Sequence, residues 1–152
     1  MSSPNYVRLE MQRAAVSACK FVFVVSLMPM LPAHAEAARG SEIVGTTRTT
    51  VWAIDAHAEE LLGPARRAFL KIDSQGFELE VLKGAAKQLD RFIALQLELS
   101  LVPLYEGAPL MPEVVDWLRE HGFVLVGLVP AFDHPRTGEI LQLDGQFVRR
   151  QG

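Results

Sequence analysis

The sequence predicts an open α/β sheet, mainly parallel, that ends in a C-terminal antiparallel hairpin. Three observations carry this. The stretch Phe69-Leu-Lys-Ile-Asp-Ser-Gln-Gly-Phe-Glu-Leu-Glu-Val-Leu-Lys-Gly84 reads as a short apolar strand over 68–72, an acid at its tip, a tight turn through Gly76, and an amphipathic helix opening with Glu78. Residues 92–102 alternate Leu95, Leu97, Leu99 and Leu101 with Gln96, Glu98 and Ser100, the period of a strand. Finally, the β-rich runs 123–129 and 139–150 flank Asp133-His-Pro-Arg-Thr-Gly138, and strands joined by such a turn pair antiparallel. Right-handed crossovers between the strand-helix units place helices on both faces of the sheet.

The chain has 152 residues, 49% hydrophobic and 22% charged, which is enough for one domain with a buried core. A net charge of −3 and a pI near 5.8 give no basic face, so nucleic acid is excluded as a generic electrostatic partner. The single cysteine, Cys19, forms no intramolecular disulfide and reads as an inert residue of an apolar segment.

Along the chain, residues 1–20 scatter Arg8, Glu10, Arg13 and Lys20 ahead of an apolar run at 21–28. Two readings of this run stand side by side. One is a secretory signal with a cleavage tripeptide at Ala33-His-Ala35; the other is an element of the folded domain interrupted by Pro29 and Pro32. The run is too short to span a bilayer, so no membrane segment is expected. Residues 36–45 read as loop. Residues 46–54 are rich in β-branched side chains and predict a strand that ends in Asp55, placed to N-cap a helix over 56–62 that Gly63-Pro64 stops. A helix over 77–90 sets Leu79, Leu82, Ala86 and Leu89 on one stripe, with Glu80, Lys83 and Lys87 facing water. Pro112 suits the first turn of a further helix, which runs to His121 with Val114, Val115 and Leu118 inward and is closed by Gly122.

Asp73 ends one strand and Glu98 lies near the end of the next, so neighbouring strands would project two carboxylates into one crevice beyond their carboxyl ends. Such a pair binds a hydroxyl or amine, acts as general base, or holds a hard cation. The plainer alternatives are that Asp73 caps the following helix and Glu98 bonds backbone amides. Glu78 is favoured at a helix N-terminus by the dipole alone. The four histidines, His34, His57, His121 and His134, are dispersed without metal-ligand spacing and read as surface residues, so no metal site is expected. Tyr105 and Trp117 read as a loop anchor and a core aromatic.

The run from Phe69 to Ala85 resembles the signature of the FkbM family of S-adenosylmethionine-dependent methyltransferases, in which Leu-Lys-Ile-Asp-x-x-Gly-x-Glu follows the fourth strand of the sheet. Val51-Trp-Ala-Ile-Asp55 is similar to the family's upstream Leu-Asp segment, and Leu97-Glu98 with Leu104-Tyr-Glu-Gly107 to its next strand and loop. The resemblance covers about 26–150 and leaves 1–25 unmatched. It implies a Rossmann-like class I methyltransferase sheet, S-adenosylmethionine as cofactor, and methyl transfer to an oxygen of a small molecule or sugar. Asp73 and Glu98 would be the catalytic pair, Asp73 and Gly76 would lie at the cofactor, and Glu98 would shape the acceptor pocket. The family's Gly-rich cofactor loop has no counterpart, since no Gly-x-Gly occurs among the 11 glycines. A partial, truncated domain is therefore expected, inactive alone, with a sheet that starts at its fourth strand and exposes a hydrophobic edge. The alternative function is a non-catalytic α/β remnant that pairs through this edge with a partner or a second copy. With residues from Ser26 onward drawn into the domain, a cytoplasmic location is expected, and secretion is the alternative.

Overall fold

The structure, a computed structural model, describes residues 8–15, 23–41 and 43–150, so Cys19 lies outside the described part. In chain order it contains β1 (Arg8–Ala15), β2 (Phe23–Ser26), α1 (Pro32–Ala37), β3 (Ile43–Thr50), α2 (Ala58–Leu62), β4 (Ala68–Ile72), α3 (Glu78–Lys83), β5 (Phe92–Ser100), α4 (Met111–Glu120), β6 (Phe123–Asp133) and β7 (Ile140–Arg149). Short 3₁₀ turns at Ile54–His57 and Ala86–Arg91 precede α2 and β5.

Two sheets form. One is an antiparallel three-stranded sheet in the order β2-β1-β3; the other is mixed, in the order β4-β5-β7-β6. In the mixed sheet β4 and β5 run parallel, with Lys71 opposite Gln96 and Ile72 opposite Leu97. The expected terminal hairpin is present, but β7 inserts between β5 and β6 and pairs antiparallel with both. The sheet is therefore not mainly parallel. One crossover, β4 through α3 to β5, supplies the single parallel pairing, and the hairpin's return strand converts the other two.

Burial follows the alternation in β5. Leu95, Leu97 and Leu99 are fully buried and join Leu82 of α3, Val114 and Leu118 of α4, and Phe123 and Phe147 of the hairpin in one core. Both helices lie on this face. Directly opposed residues share a face: on the second face Ser100 and Gln142, at the carboxyl end of β5, are buried, and the opposite end is open. There Phe69, Ala94, Val148 and Val124 form a row across all four strands, and Phe69 and Val148 stay 59% and 39% exposed. Glu98 and Asp144, also opposed, form a row on the same face nearer the carboxyl end of β5.

Three local differences from the sequence reading have identifiable causes. β3 ends at Thr50 rather than running to Ile54. The segment after it comes up against Gly84, where a Cβ would meet Ala53 at 3.4 Å and where the Asp55 amide donates to the Gly84 carbonyl at 2.9 Å. The long helix expected over 77–90 accordingly breaks there into α3 and a 3₁₀ turn. Asp55 does not cap α2. Its carboxylate accepts from the Lys87 amide at 3.2 and 3.3 Å, so it caps the first turn of the neighbouring 3₁₀ segment.

Residues 26–41 pack with the C-terminal part of the chain. Met30 bridges Tyr105, the Leu31 amide donates to Leu104 at 2.9 Å, and Ala37 joins Leu104, Tyr105 and Leu141 in a second buried cluster. His34 is part of this packing. It is 6% exposed, its ring lies 5.2 Å from those of Tyr105 and Phe132, and burial lowers its pKa, so it is a core histidine rather than a surface one. No helix among the described residues is long and apolar enough to cross a membrane.

Candidate functional site

The site forms where β4 ends. An apolar strand carries the chain to Asp73, and two successive residues with positive φ, Gln75 at 55° and Gly76 at 98°, turn it sharply into α3. Glu78 braces the turn. Its carboxylate accepts from the Ser74 amide at 2.9 Å, the Ser74 hydroxyl at 3.2 Å and the Gly76 amide at 3.0 Å. Burial pushes its pKa up, and these bonds, with one from its own amide, pull it down. Glu78 is thus a structural acid that holds amides which would otherwise be orphaned at a helix start.

Because β4 and β5 are parallel neighbours, Asp73 and Glu98 do come together, and the side chain that joins them is Gln75. Its amide nitrogen donates to Asp73 Oδ1 and to Glu98 Oε2, each at 3.0 Å, and its carbonyl oxygen accepts from the Tyr105 hydroxyl. Asp73 is exposed and also lies 3.8 Å from the Lys71 ammonium. Glu98 is half-buried. Burial pushes its pKa up to about 7, the negative charges of Asp73, Glu78 and Asp144 add to the rise, and Lys71 opposes it. Tyr105 is raised by burial first and then by Glu98, Glu78 and Asp73, so its phenol stays protonated and donates.

Gly76 is needed for its backbone and for its missing side chain. A Cβ there would lie 2.9 Å from Tyr105 Cβ and Cγ. The aromatic ring thus occupies the space beside the turn glycine. Ser26, at the end of β2, completes the enclosure by donating to the Gln75 carbonyl at 3.1 Å.

The sequence reading named Asp73, Glu98 and Gly76. It did not name Gln75, Ser26 or Asp144 as parts of the site, and it read Tyr105 only as an anchor. The signal available for Gln75 was its position between the strand-tip acid and the turn glycine. Nothing local announces Ser26 or Tyr105, which reach Gln75 from 49 and 30 residues away.

A cavity of ≈ 400 Å³ reaches Phe77, the residue after Gly76, and is lined by neither Asp73 nor Glu98. Trp52, Ile54, Phe77, Val81, and the ion-paired Glu80 and Lys83 help to line it. Among the described residues no group of three His, Cys, Asp or Glu side chains is placed to hold a metal ion.

Comparison with known proteins gives one match. Residues 4–125 match the family model described as the methyltransferase FkbM domain, a span that begins ahead of β1 and stops within β6. No curated protein and no solved structure matches the chain.

Proposed function

The chain belongs to the methyltransferase FkbM domain family, and from that premise we propose that it provides the acceptor side of a site for S-adenosylmethionine-dependent methyl transfer to a hydroxyl of a small molecule or sugar. The observation that carries this reading is the carboxylate pair Asp73 and Glu98, joined by one amide at the ends of adjacent parallel strands. A carboxyl whose pKa lies near 7 exchanges a proton with an acceptor hydroxyl close to neutral pH, the condition for an effective general base. Glu98 takes that proton on its carboxylate, and Asp73, open to solvent, contacts both the acceptor and the methyl donor. The sheet's change from parallel to antiparallel at β7 agrees with a class I methyltransferase reading.

S-adenosylmethionine would supply the electrophilic methyl group. The described residues do not fit its methionine end. No Gly-x-Gly occurs in the sequence, β4 has β5 as its only strand partner among them, and the open side of Gly76 is filled by Tyr105. The reading therefore assigns this chain the acceptor side and the exposed carboxylate of Asp73, with the donor's amino acid end held by other residues.

Calorimetry with S-adenosylmethionine tests the donor assignment. Binding to the purified chain at millimolar ligand is expected, and Asp73→Ala should weaken it by about 10- to 100-fold, the usual loss for a hydrogen bond to a charged group. Absence of heat from the unaltered chain would sink the assignment for this chain on its own.

One observation favours a second reading, association through the sheet edge. β4 ends the mixed sheet, and its Phe69 is 59% exposed, a template for pairing with a second copy. Sedimentation velocity across a hundredfold concentration range should then show a dimer that Phe69→Lys shifts toward monomer by about tenfold, since edge lysines oppose pairing. A chain that is monomeric throughout, with and without the substitution, contradicts this reading.

A further inference from the structure

We propose that Gln75 is the positioning residue of this site, its side-chain amide clamping Asp73 and Glu98 in a single arrangement that Tyr105 locks from the opposite end. The proposal rests on the reading of Asp73 and Glu98 as the acceptor-side pair, and adds what holds that pair in place.

Four independent contacts fix this residue. The amide nitrogen bonds both carboxylates, the amide oxygen takes the Tyr105 hydroxyl, and the backbone carbonyl takes the Ser26 hydroxyl. They come from the tip of β4, from β5, from the loop after β5 and from the end of β2. Ser26 is itself held, since its one hydroxyl proton is shared between the Gln75 carbonyl and the Met28 carbonyl, the latter at 2.8 Å, while its oxygen accepts from the Met28 amide at 3.1 Å. Gln75 is also the only residue other than glycine with positive φ among those described. A side-chain-bearing residue stays in that region where its surroundings over-determine it, and such positions cluster at functional sites.

The amide has one workable orientation. Turned over, its oxygen would face two carboxylates, which only accept, so the acids select the orientation that presents both N–H groups to them, and the Tyr105 hydroxyl then donates to the amide oxygen. Two carboxylates this close repel each other, and a shared pair of donors lowers the free energy of their charged forms. The charges that face Glu98 are Asp73 and Lys71 from β4, Glu78 from α3 and Asp144 from β7, and Lys71 is the sole cation of the set. A neutral double donor thus holds the pair together without a positive charge that would bind Glu98 as a salt bridge and depress its basicity.

The test reads the carboxyl of Glu98 by carbon-13 NMR through a pH titration of the full chain, in the unaltered protein and in Gln75→Asn, Gln75→Glu and Tyr105→Phe. Asparagine tolerates positive φ but is one methylene too short to reach both acids, so it keeps the turn and removes the clamp. The Glu98 midpoint should rise by about one pH unit in Gln75→Asn, the size of one lost bond to a charged group. It should rise further in Gln75→Glu, where a third acid replaces the donor, and in the same direction in Tyr105→Phe. An unchanged midpoint in a folded Gln75→Asn chain overturns the proposal. The measurement needs no methyl transfer. A shifted midpoint in a chain without S-adenosylmethionine binding would support the clamp and count against the methyltransferase reading, and the two failures stay distinct.

Discussion

Glu98→Gln is expected to lower methyl transfer from labelled S-adenosylmethionine by at least the roughly 100-fold that the proposed general base would contribute, and at the same time to make the folded chain more stable above pH 7. The two effects have one cause. Burial and the neighbouring charges of Asp73, Glu78 and Asp144 raise the folded-state pKa of Glu98 to about 7, above the ordinary glutamate value it has when unfolded. Between those two values the native state binds the proton more tightly than the unfolded chain does, so stability falls as pH rises through this window and levels off above about pH 7. Below the unfolded-state value both states are protonated and the term vanishes. Each pKa unit corresponds to ~1.4 kcal/mol, and discounting for the partial exposure of the side chain leaves about 1–2 kcal/mol of destabilisation at pH 8. The glutamine variant carries no such charge, and its amide oxygen still accepts from Gln75. Urea unfolding at pH 5 and pH 8 checks this. The variant should gain about 1–2 kcal/mol relative to the unaltered chain at pH 8 and much less at pH 5. An equal difference at both pH values would mean that Glu98 is not an acid whose charge is penalised in the folded state.

A carboxyl raised this far by burial and by neighbouring negative charges is a candidate functional group. What was legible in the sequence is the side it faces: the alternation of β5 puts Glu98 on the face opposite Leu97 and Leu99. The pairing with Asp73 was legible too, since a strand that feeds a helix and then a strand of like direction puts the two strand tips side by side. What the sequence could not show was Gln75, whose role depends on a positive φ and on a phenol 30 residues away. Nor could it show the insertion of β7 between β5 and β6, since a hairpin turn reports that two strands pair and leaves open which outer neighbour each one finds. The break at Gly84 was hidden for a similar reason. The helical stripe of Leu79, Leu82 and Leu89 is satisfied locally, and the segment at Ala53 that interrupts it arrives from another part of the chain. The histidines show the limit of spacing arguments: His34 has no partner at ligand spacing and yet is a core residue, packed between Tyr105 and Phe132.

Gly76→Ala should be the most destabilising single-methyl substitution at this site, lowering stability by about 3 kcal/mol. Two terms add. With φ at 98°, an alanine is strained whatever the space around it, by about 1–2 kcal/mol. The added Cβ would also lie 2.9 Å from Tyr105 Cβ and Cγ and 3.0 Å from Cδ2. The ring cannot retreat cheaply. It is 1% exposed, lies with its ring 5.2 Å from that of His34, packs with Leu104 and Leu141, and is tied through its hydroxyl to Gln75. Overpacking of this kind adds typically 1–3 kcal/mol. Gly107 is the control, because its φ of 71° imposes a similar backbone strain while a Cβ there would meet nothing within 4 Å. Thermal melts of the two alanine variants therefore separate strain from collision. Gly107→Ala should lower Tm by a few degrees and Gly76→Ala by on the order of 10 °C, at ~2–4 °C per kcal/mol for a chain of this size. Equal shifts would mean that Tyr105 yields to the methyl group. In that case the ring is not the rigid stop that fixes Gln75, and with it the orientation of both carboxylates.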